Sequence, residues 1–210
     1  MGYFRTFVSG IWGGVCIALG GGAFLSLESN ILGALFFTVG LFTICTMGLS
    51  LFTGKVCYVF QRDKIYAANL PLIWLGNLAG TVILGLLVQA TRSADNLVAR
   101  AQSVCAAKLG DSWLSLFLLG VLCNIFIYIA VEGFSQNPHQ IGKYLSLFFG
   151  VMVFILCGYE HCVADMFYFT MAGAWSVDAF LRLIVITLGN AAGGVLFPLA
   201  RQFLSGGKQG

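Results

Sequence analysis

GVMVFILCGYEHCVADMFYFT, residues 150–170, is long and apolar enough to cross a bilayer, yet Glu160 and His161 stand side by side in its middle. A charged side chain at the centre of a membrane helix costs from about 3 to more than 10 kcal/mol, so such a pair faces a polar pathway or a buried network rather than lipid. Gly158, two residues before Glu160, gives the backbone a place to break. A helix interrupted at membrane depth survives only where protein or a water-filled cavity satisfies the freed N–H and C=O groups. This run therefore reads as a broken helix carrying polar groups into a lumen.

The rest of the chain agrees with a protein that lies almost wholly in the membrane. Charged residues make up 9% and hydrophobic residues 59% of the sequence, and mean hydropathy is +0.93. Soluble domains carry about 25% charged residues. Six spans are predicted, at about 4–27, 32–60, 69–91, 112–134, 142–171 and 177–203. The first lacks an Ala-x-Ala-like cleavage site and reads as a span rather than a signal peptide. The one long connection, 92–111, has room for a short interfacial helix over 95–108. Seven cysteines are scattered without a CxxC pair, so neither a disulfide framework nor a metal site is expected. Nothing calls for a cofactor or a nucleic-acid partner; lipid is the surrounding medium.

Lysine and arginine set the orientation. With both termini inside, Arg5, Lys55, Arg62, Lys64, Lys143, Arg201 and Lys208 fall on the cytoplasmic side. Arg92, Arg100, Lys108 and Arg182 fall outside. The bias favours both termini in the cytoplasm of a multi-pass inner-membrane protein.

The second span repeats the oddity of the fifth. It is longer than one crossing needs and is interrupted around MGLSLFTG, residues 47–54, with Gly48 and Gly54 supplying backbone freedom. LGNLAG at 75–80 in the third span returns as LGNAAG at 188–193 in the sixth. Two glycine-interrupted spans in corresponding halves point to a transporter or channel built from inverted repeats. With three spans per half, the second copy must run the opposite way. The expected fold is thus an all-α membrane protein with repeats over about 4–91 and 112–203, a single channel domain over 1–210. Setting 51–53 in the place of 159–161 puts Thr53 opposite His161.

LFTG at 51–54, GYEH at 158–161 followed by VADMF at 163–167, and the paired GlyAsn-x-x-Gly motifs resemble the formate/nitrite transporter family, through all six spans. The resemblance implies aquaporin-like protomers assembled as homopentamers. Each protomer would have its own pore for small monovalent anions or their conjugate acids: formate, nitrite, hydrosulfide or lactate. It makes His161 the central pore imidazole and Thr53 its hydroxyl partner. Leu51 and Phe52 would form a cytoplasmic constriction, while Phe37, Leu41, Ile127 and Phe154 line apolar slits. Lys108, Asn124 and Glu160 match a polar cluster behind the histidine, and Asn190 the asparagine of the sixth span. Asp165 departs from the asparagine many members carry and adds a possible negative charge. The short N-terminal extension implies weak gating. Lys55 after the break and the compact chain look most like the hydrosulfide-type branch.

A small anion cannot cross an apolar constriction charged, because stripping its water costs several kcal/mol. It can take up a proton and cross as the neutral acid, or pair directly with a protonated His161; the residues leave both routes open. Two other functions are weaker. A neutral-solute pore of the aquaporin kind lacks its paired Asn-Pro-Ala motifs here, Asn137-Pro138 being single. An intramembrane oxidoreductase using Cys162 beside His161 lacks a resolving cysteine at short spacing. No catalytic residue is assigned.

Overall fold

The computed structural model describes residues 2–206, so Lys208 of the basic group lies outside the described residues. Nine helices occur among these residues: α1 Tyr3–Ser26, α2 Asn30–Met47, α3 Phe52–Val56, α4 Lys64–Gln89, α5 Ala94–Gly110, α6 Trp113–Gln136, α7 Gln140–Leu156, α8 Cys162–Ala172 and α9 Val177–Leu204. Side-chain caps set the starts of α2, α4, α6, α8 and α9. Asp63, Ser112 and Ser176 accept from the N–H groups of Tyr66, Ser115 and Ala179 at 2.7, 3.2 and 3.0 Å, satisfying donors that the first helical turn leaves open.

Spans two and five are broken. α2 ends on Gly48 and the chain runs extended to Leu51 before α3 begins. α7 ends at Cys157, and the chain turns through Gly158 before α8 starts after His161. Gly48 and Gly158 both sit at φ +69°, in the left-handed region that glycine enters without a Cβ penalty. Gly54 has no such geometry; it lies inside α3, so the flexibility expected of it belongs to Gly48. At 1.5 Å per residue α3 and α8 span only about 8 and 16 Å, well short of the roughly 30 Å hydrocarbon core.

The two halves repeat atom for atom around these breaks. Leu49 N–H donates to Ile44 O at 3.0 Å, and Tyr159 N–H to Phe154 O at 2.9 Å. Ser50 N–H reaches Ser9 O of α1, as Glu160 N–H reaches Leu119 O of α6. Asn77 accepts from Phe52 N–H at 2.8 Å and donates to Gly10 O and Ser50 O at 2.7 and 3.0 Å. Asn190 accepts from Cys162 N–H at 2.9 Å and donates to Gly120 O and Glu160 O, both at 2.8 Å. Each asparagine thus clamps the half-helix of its own repeat and satisfies groups that would otherwise be orphaned in the membrane.

This correspondence corrects the register read from sequence. Leu51, not Thr53, occupies the place of His161, and Ser50 that of Glu160; both Leu51 and His161 immediately precede their half-helix in extended conformation. The equivalence is counted from the left-handed glycine, and side-chain likeness misaligned it by two residues.

Close helix contact rests on small residues. A Cβ on Gly76 would lie 3.0 Å from Gly10 Cα where α4 crosses α1, and one on Gly120 would lie 3.2 Å from Gly189 Cα where α6 crosses α9. Van der Waals contact at such backbone distances replaces the hydrophobic drive that is lost in lipid. Large apolar side chains such as Trp12, Phe36, Leu87, Phe149 and Leu188 are left exposed around the bundle. α1, α2, α4, α6 and α9 are each long and apolar enough to cross a membrane, α7 and α8 are shorter apolar helices, and α5 is neither; α5 packs along α8 at one face of the bundle. All seven cysteines are free.

Candidate functional site

The breaks bring the two halves together at one buried contact. His161 Nε2 and Thr53 Oγ1 lie 2.9 Å apart, with both residues buried. His161 precedes α8 and its Nδ1 accepts the N–H of Ala164 at 3.2 Å. A neutral imidazole carries one proton, so this cap puts it on Nε2, which donates to the threonine hydroxyl. The Thr53 O–H is then left as a donor. The imidazole also stacks on Phe154, centroids 5.6 Å apart and planes 18° apart.

One cavity reaches His161, and a second ends at Leu51 and Gly54, the residues that bracket Phe52 and Thr53. On the α5 face a space of about 250 Å³ is walled by Phe24, Phe37, Phe154 and Tyr168 and ends at His161 and Ala164. Phe37 and Phe154 meet edge to face there, 6.2 Å between centroids. On the opposite face a space of about 390 Å³ is lined by Leu41, Ile44, Leu51 and Gly54 and opens past Lys55, Tyr58 and Arg62. α2 therefore presents Phe37 to one cavity and Leu41, one turn on, to the other. Leu51 closes the second cavity where His161 closes the first.

Three expected lining or cluster residues fall elsewhere. Phe52 lines neither cavity: its ring lies in an apolar groove between α4 and α9 with Leu70, Pro71 and Trp74. The side chain following Leu51 in an extended step points away from it. Ile127 is buried in α6 but lines neither space. Asn124 does not join Lys108 and Glu160. Its Nδ2 donates to Thr53 O at 3.0 Å, holding α3 against α6 beneath the hydroxyl.

The polar cluster behind His161 is built from α5 and α8. Lys108, the penultimate residue but one of α5, contacts Glu160 Oε2 closely and lies 2.9 Å from Asp165 Oδ1. Burial works against the ammonium, but the carboxylates of Asp165 and Glu160 outweigh it and hold Lys108 above its ordinary value. Arg182 of α9 fixes the end of α5: its Nη1 donates to Asp111 O at 2.6 Å and Lys108 O at 3.3 Å, while Nε pairs with Asp178 at 2.7 Å. Lys108 is thus a buried ion-pair partner rather than a solvated loop charge.

Sequence reasoning missed two features. Asn77 matches Asn190 in function, and its signal was the repeated LGN-x-AG motif itself. At the mouth opposite α5, Tyr58 donates to Glu132 Oε2 at 2.7 Å and Arg201 Nη1 to Glu132 Oε1 at 2.5 Å, tying α6 to α9 and to the stretch after α3. Glu132 and Arg201 sit 69 residues apart, and no local pattern announces the pair.

The family model "Formate/nitrite transporter" matches residues 1–203. The chain belongs to the formate/nitrite transporter family. It is 26% identical over 237 aligned positions to "Formate channel FocA" of Haemophilus influenzae, covering 92% of this chain and 84% of that protein. It is 31% identical over 191 to "Nitrite transporter NirC" of Salmonella typhimurium, covering 82% and 69%. Among solved structures it is similar to one described as "Pentameric formate channel with formate bound", with TM-score 0.83, 25% identity and 98% of both chains covered. Another, "FNT family ion channel", gives TM-score 0.81 at 26% identity, covering 96% of this chain and 89% of that one. Membership fixes the general function. This family member is a multi-pass membrane channel or transporter and not an enzyme, which removes the oxidoreductase reading of Cys162.

Proposed function

We propose that the chain passes small monovalent anions as weak acids through a pore within each protomer, with His161 and Thr53 at its narrowest polar point. The observation that carries this reading is the His161–Thr53 hydrogen bond, with one cavity ending at His161 and another ending at Leu41, Leu51 and Gly54. Dehydration of an anion costs several kcal/mol in such walls. The falling dielectric raises the anion's proton affinity until it crosses as the neutral acid. The Ala164 N–H bond to Nδ1 favours this route over a protonated histidine, because an imidazolium would have to give that bond up. The imidazole then serves as a neutral donor, with the Thr53 hydroxyl beside it.

Leu41 and Leu51 form the constriction on the Lys55 face and Phe37 and Phe154 the one on the α5 face, with Asn124 and Asn190 as positioning residues. Lysine and arginine support both termini in the cytoplasm and the inner membrane as the location, with Lys55 and Arg62 at the cytoplasmic mouth. The chain acts as a single channel domain of inverted repeats, about 4–91 and 112–203. A homopentamer fits the likeness to the pentameric formate channel.

Formate and nitrite follow from the names of the relatives, and hydrosulfide from the LFTGK form of the break. Flux into proteoliposomes loaded with a pH-sensitive dye ranks hydrosulfide, formate, nitrite and acetate. Uptake of at least one of the first three, faster than water or glycerol alone would explain, is expected. Glycerol or urea flux with no anion-dependent proton movement would favour the neutral-solute pore instead.

A further inference from the structure

Three ionisable groups meet at the wall of the α5-side cavity, and their charges do not cancel. Lys108, Glu160 and Asp165 are 8, 5 and 1% exposed, and all three line that cavity. One ammonium faces two carboxylates. Asp165 Oδ1 takes the ammonium at 2.9 Å, and Oδ2 is buried with no donor among the described residues. Among the described residues the elements packed around the cluster bring no second cation to it: Arg100 of α5 lies over the Phe24 ring and donates to Asn30 instead. α5 adds Cys105; α6 adds Cys123; α8 adds His161, already committed to Thr53 and Ala164, and Tyr168, whose ring lies 5.9 Å from Lys108 Nζ. α1, α2 and α7 bring Phe24, Phe37 and Phe154, and α4 has no charged residue after Lys64. Arg182 of α9 spends its guanidinium on Asp178, on backbone carbonyls at the end of α5, and on the Trp113 ring.

A net negative charge buried this deeply costs several kcal/mol, and it would repel an arriving anion. One proton on the carboxylate pair removes both penalties and gives Asp165 or Glu160 an O–H to donate. We propose that Glu160 and Asp165 share one exchangeable proton above Lys108, and that this proton is handed to a weak-acid anion arriving in the cavity. The inference rests on the weak-acid reading above. In the step, a carboxyl O–H bond breaks and an H–O bond forms on formate. The neutral acid moves toward His161, leaving two carboxylates around the ammonium. Water on the α5 side returns the proton. Asp165 and Glu160 are thereby the groups that touch the substrate, and Lys108 holds them in place.

Infrared difference spectroscopy on the reconstituted full chain tests the shared proton without any transport. A protonated-carboxyl C=O band, shifted in D₂O, is expected in the wild type at about pH 7 and absent in both Asp165→Asn and Glu160→Gln, each of which leaves a neutral ion pair with Lys108. A wild type lacking the band from about pH 6 to 8, or a band unchanged in both variants, overturns the proposal. For the hand-over, formate flux in an intact Asp165→Asn oligomer should fall at least about tenfold at about pH 7. That deficit should close near pH 5 or so, where bulk water supplies the neutral acid. Equal flux at both pH values overturns the hand-over. A wild type that shows the band but moves no anion would sink the channel reading while the shared proton stands.

Discussion

The two broken spans share one backbone and differ in what it carries. The left-handed glycine, the extended step and the asparagine clamp recur at both breaks. At equivalent positions, however, the first break holds Ser50 and Leu51 where the second holds Glu160 and His161. Ser50 bonds Ser9 at 3.0 Å, a small neutral pair; Glu160 enters an ion cluster. The scaffold is symmetric and the chemistry is not. A repeat supplies a stable way to interrupt a helix in lipid, and only one copy has to bear the polar load. The other copy supplies an apolar plug and, two residues later, a hydroxyl.

The largest expected effect comes from removing the charge that only the second half has. Lys108→Leu removes the ammonium that balances the carboxyl pair, leaving an uncompensated buried negative charge, and should cost about 3–5 kcal/mol, seen as loss of the oligomer or a sharply lowered Tm in detergent. Nearly unchanged stability would mean the pair takes up a second proton once the lysine is gone. The clamps come next. Asn77→Ala and Asn190→Ala each take the side-chain partner from the first N–H of a half-helix and from a carbonyl of the break, and should each cost about 3 kcal/mol. Their Tm shifts should match within error, and a tolerated change in one half alone would show that the backbone symmetry is not energetic symmetry.

Smaller effects fall on flux rather than folding. His161→Phe keeps a ring to stack on Phe154 and removes the donor, so formate or nitrite flux should fall roughly tenfold, a barrier increase of about 1.4 kcal/mol, with the oligomer intact. Flux equal to wild type at every pH would take the imidazole out of the pathway. Leu51→Ala should do the least: the slit widens and larger acids such as lactate gain a few-fold relative to formate. If the ratio stays fixed, the constriction lies at Leu41 instead.

Sequence revealed the breaks because their cost is local. Glu160 and His161 within an apolar run, and glycines beside them, have no cheap explanation in a continuous helix. Apolar length made the α5 connection equally legible, and of the six spans read from it five are single helices long and apolar enough to cross a membrane, while the fifth is the shorter pair α7 and α8. Register was harder. Thr53 and His161 do meet across the repeat, yet they are not repeat equivalents, and only backbone geometry distinguishes the two statements. The aim of Phe52, the detachment of Asn124 from the lysine cluster and the placing of Ile127 away from both cavities depend on how helices rotate against one another. That rotation is decided by contacts such as Gly10 with Gly76, which are distant in sequence. Asp165 stood out only as an unusual charge; its partner, 57 positions back, came from folding α5 over α8.

The asparagine clamps carry one more consequence. By occupying the first amide of each half-helix, Phe52 N–H and Cys162 N–H, they take one backbone donor out of reach of a traversing solute at each break. Throughput depends on wells shallow enough to leave as readily as they are filled. Each donor so withdrawn makes the waist shallower and suits it to rapid traffic rather than tight capture.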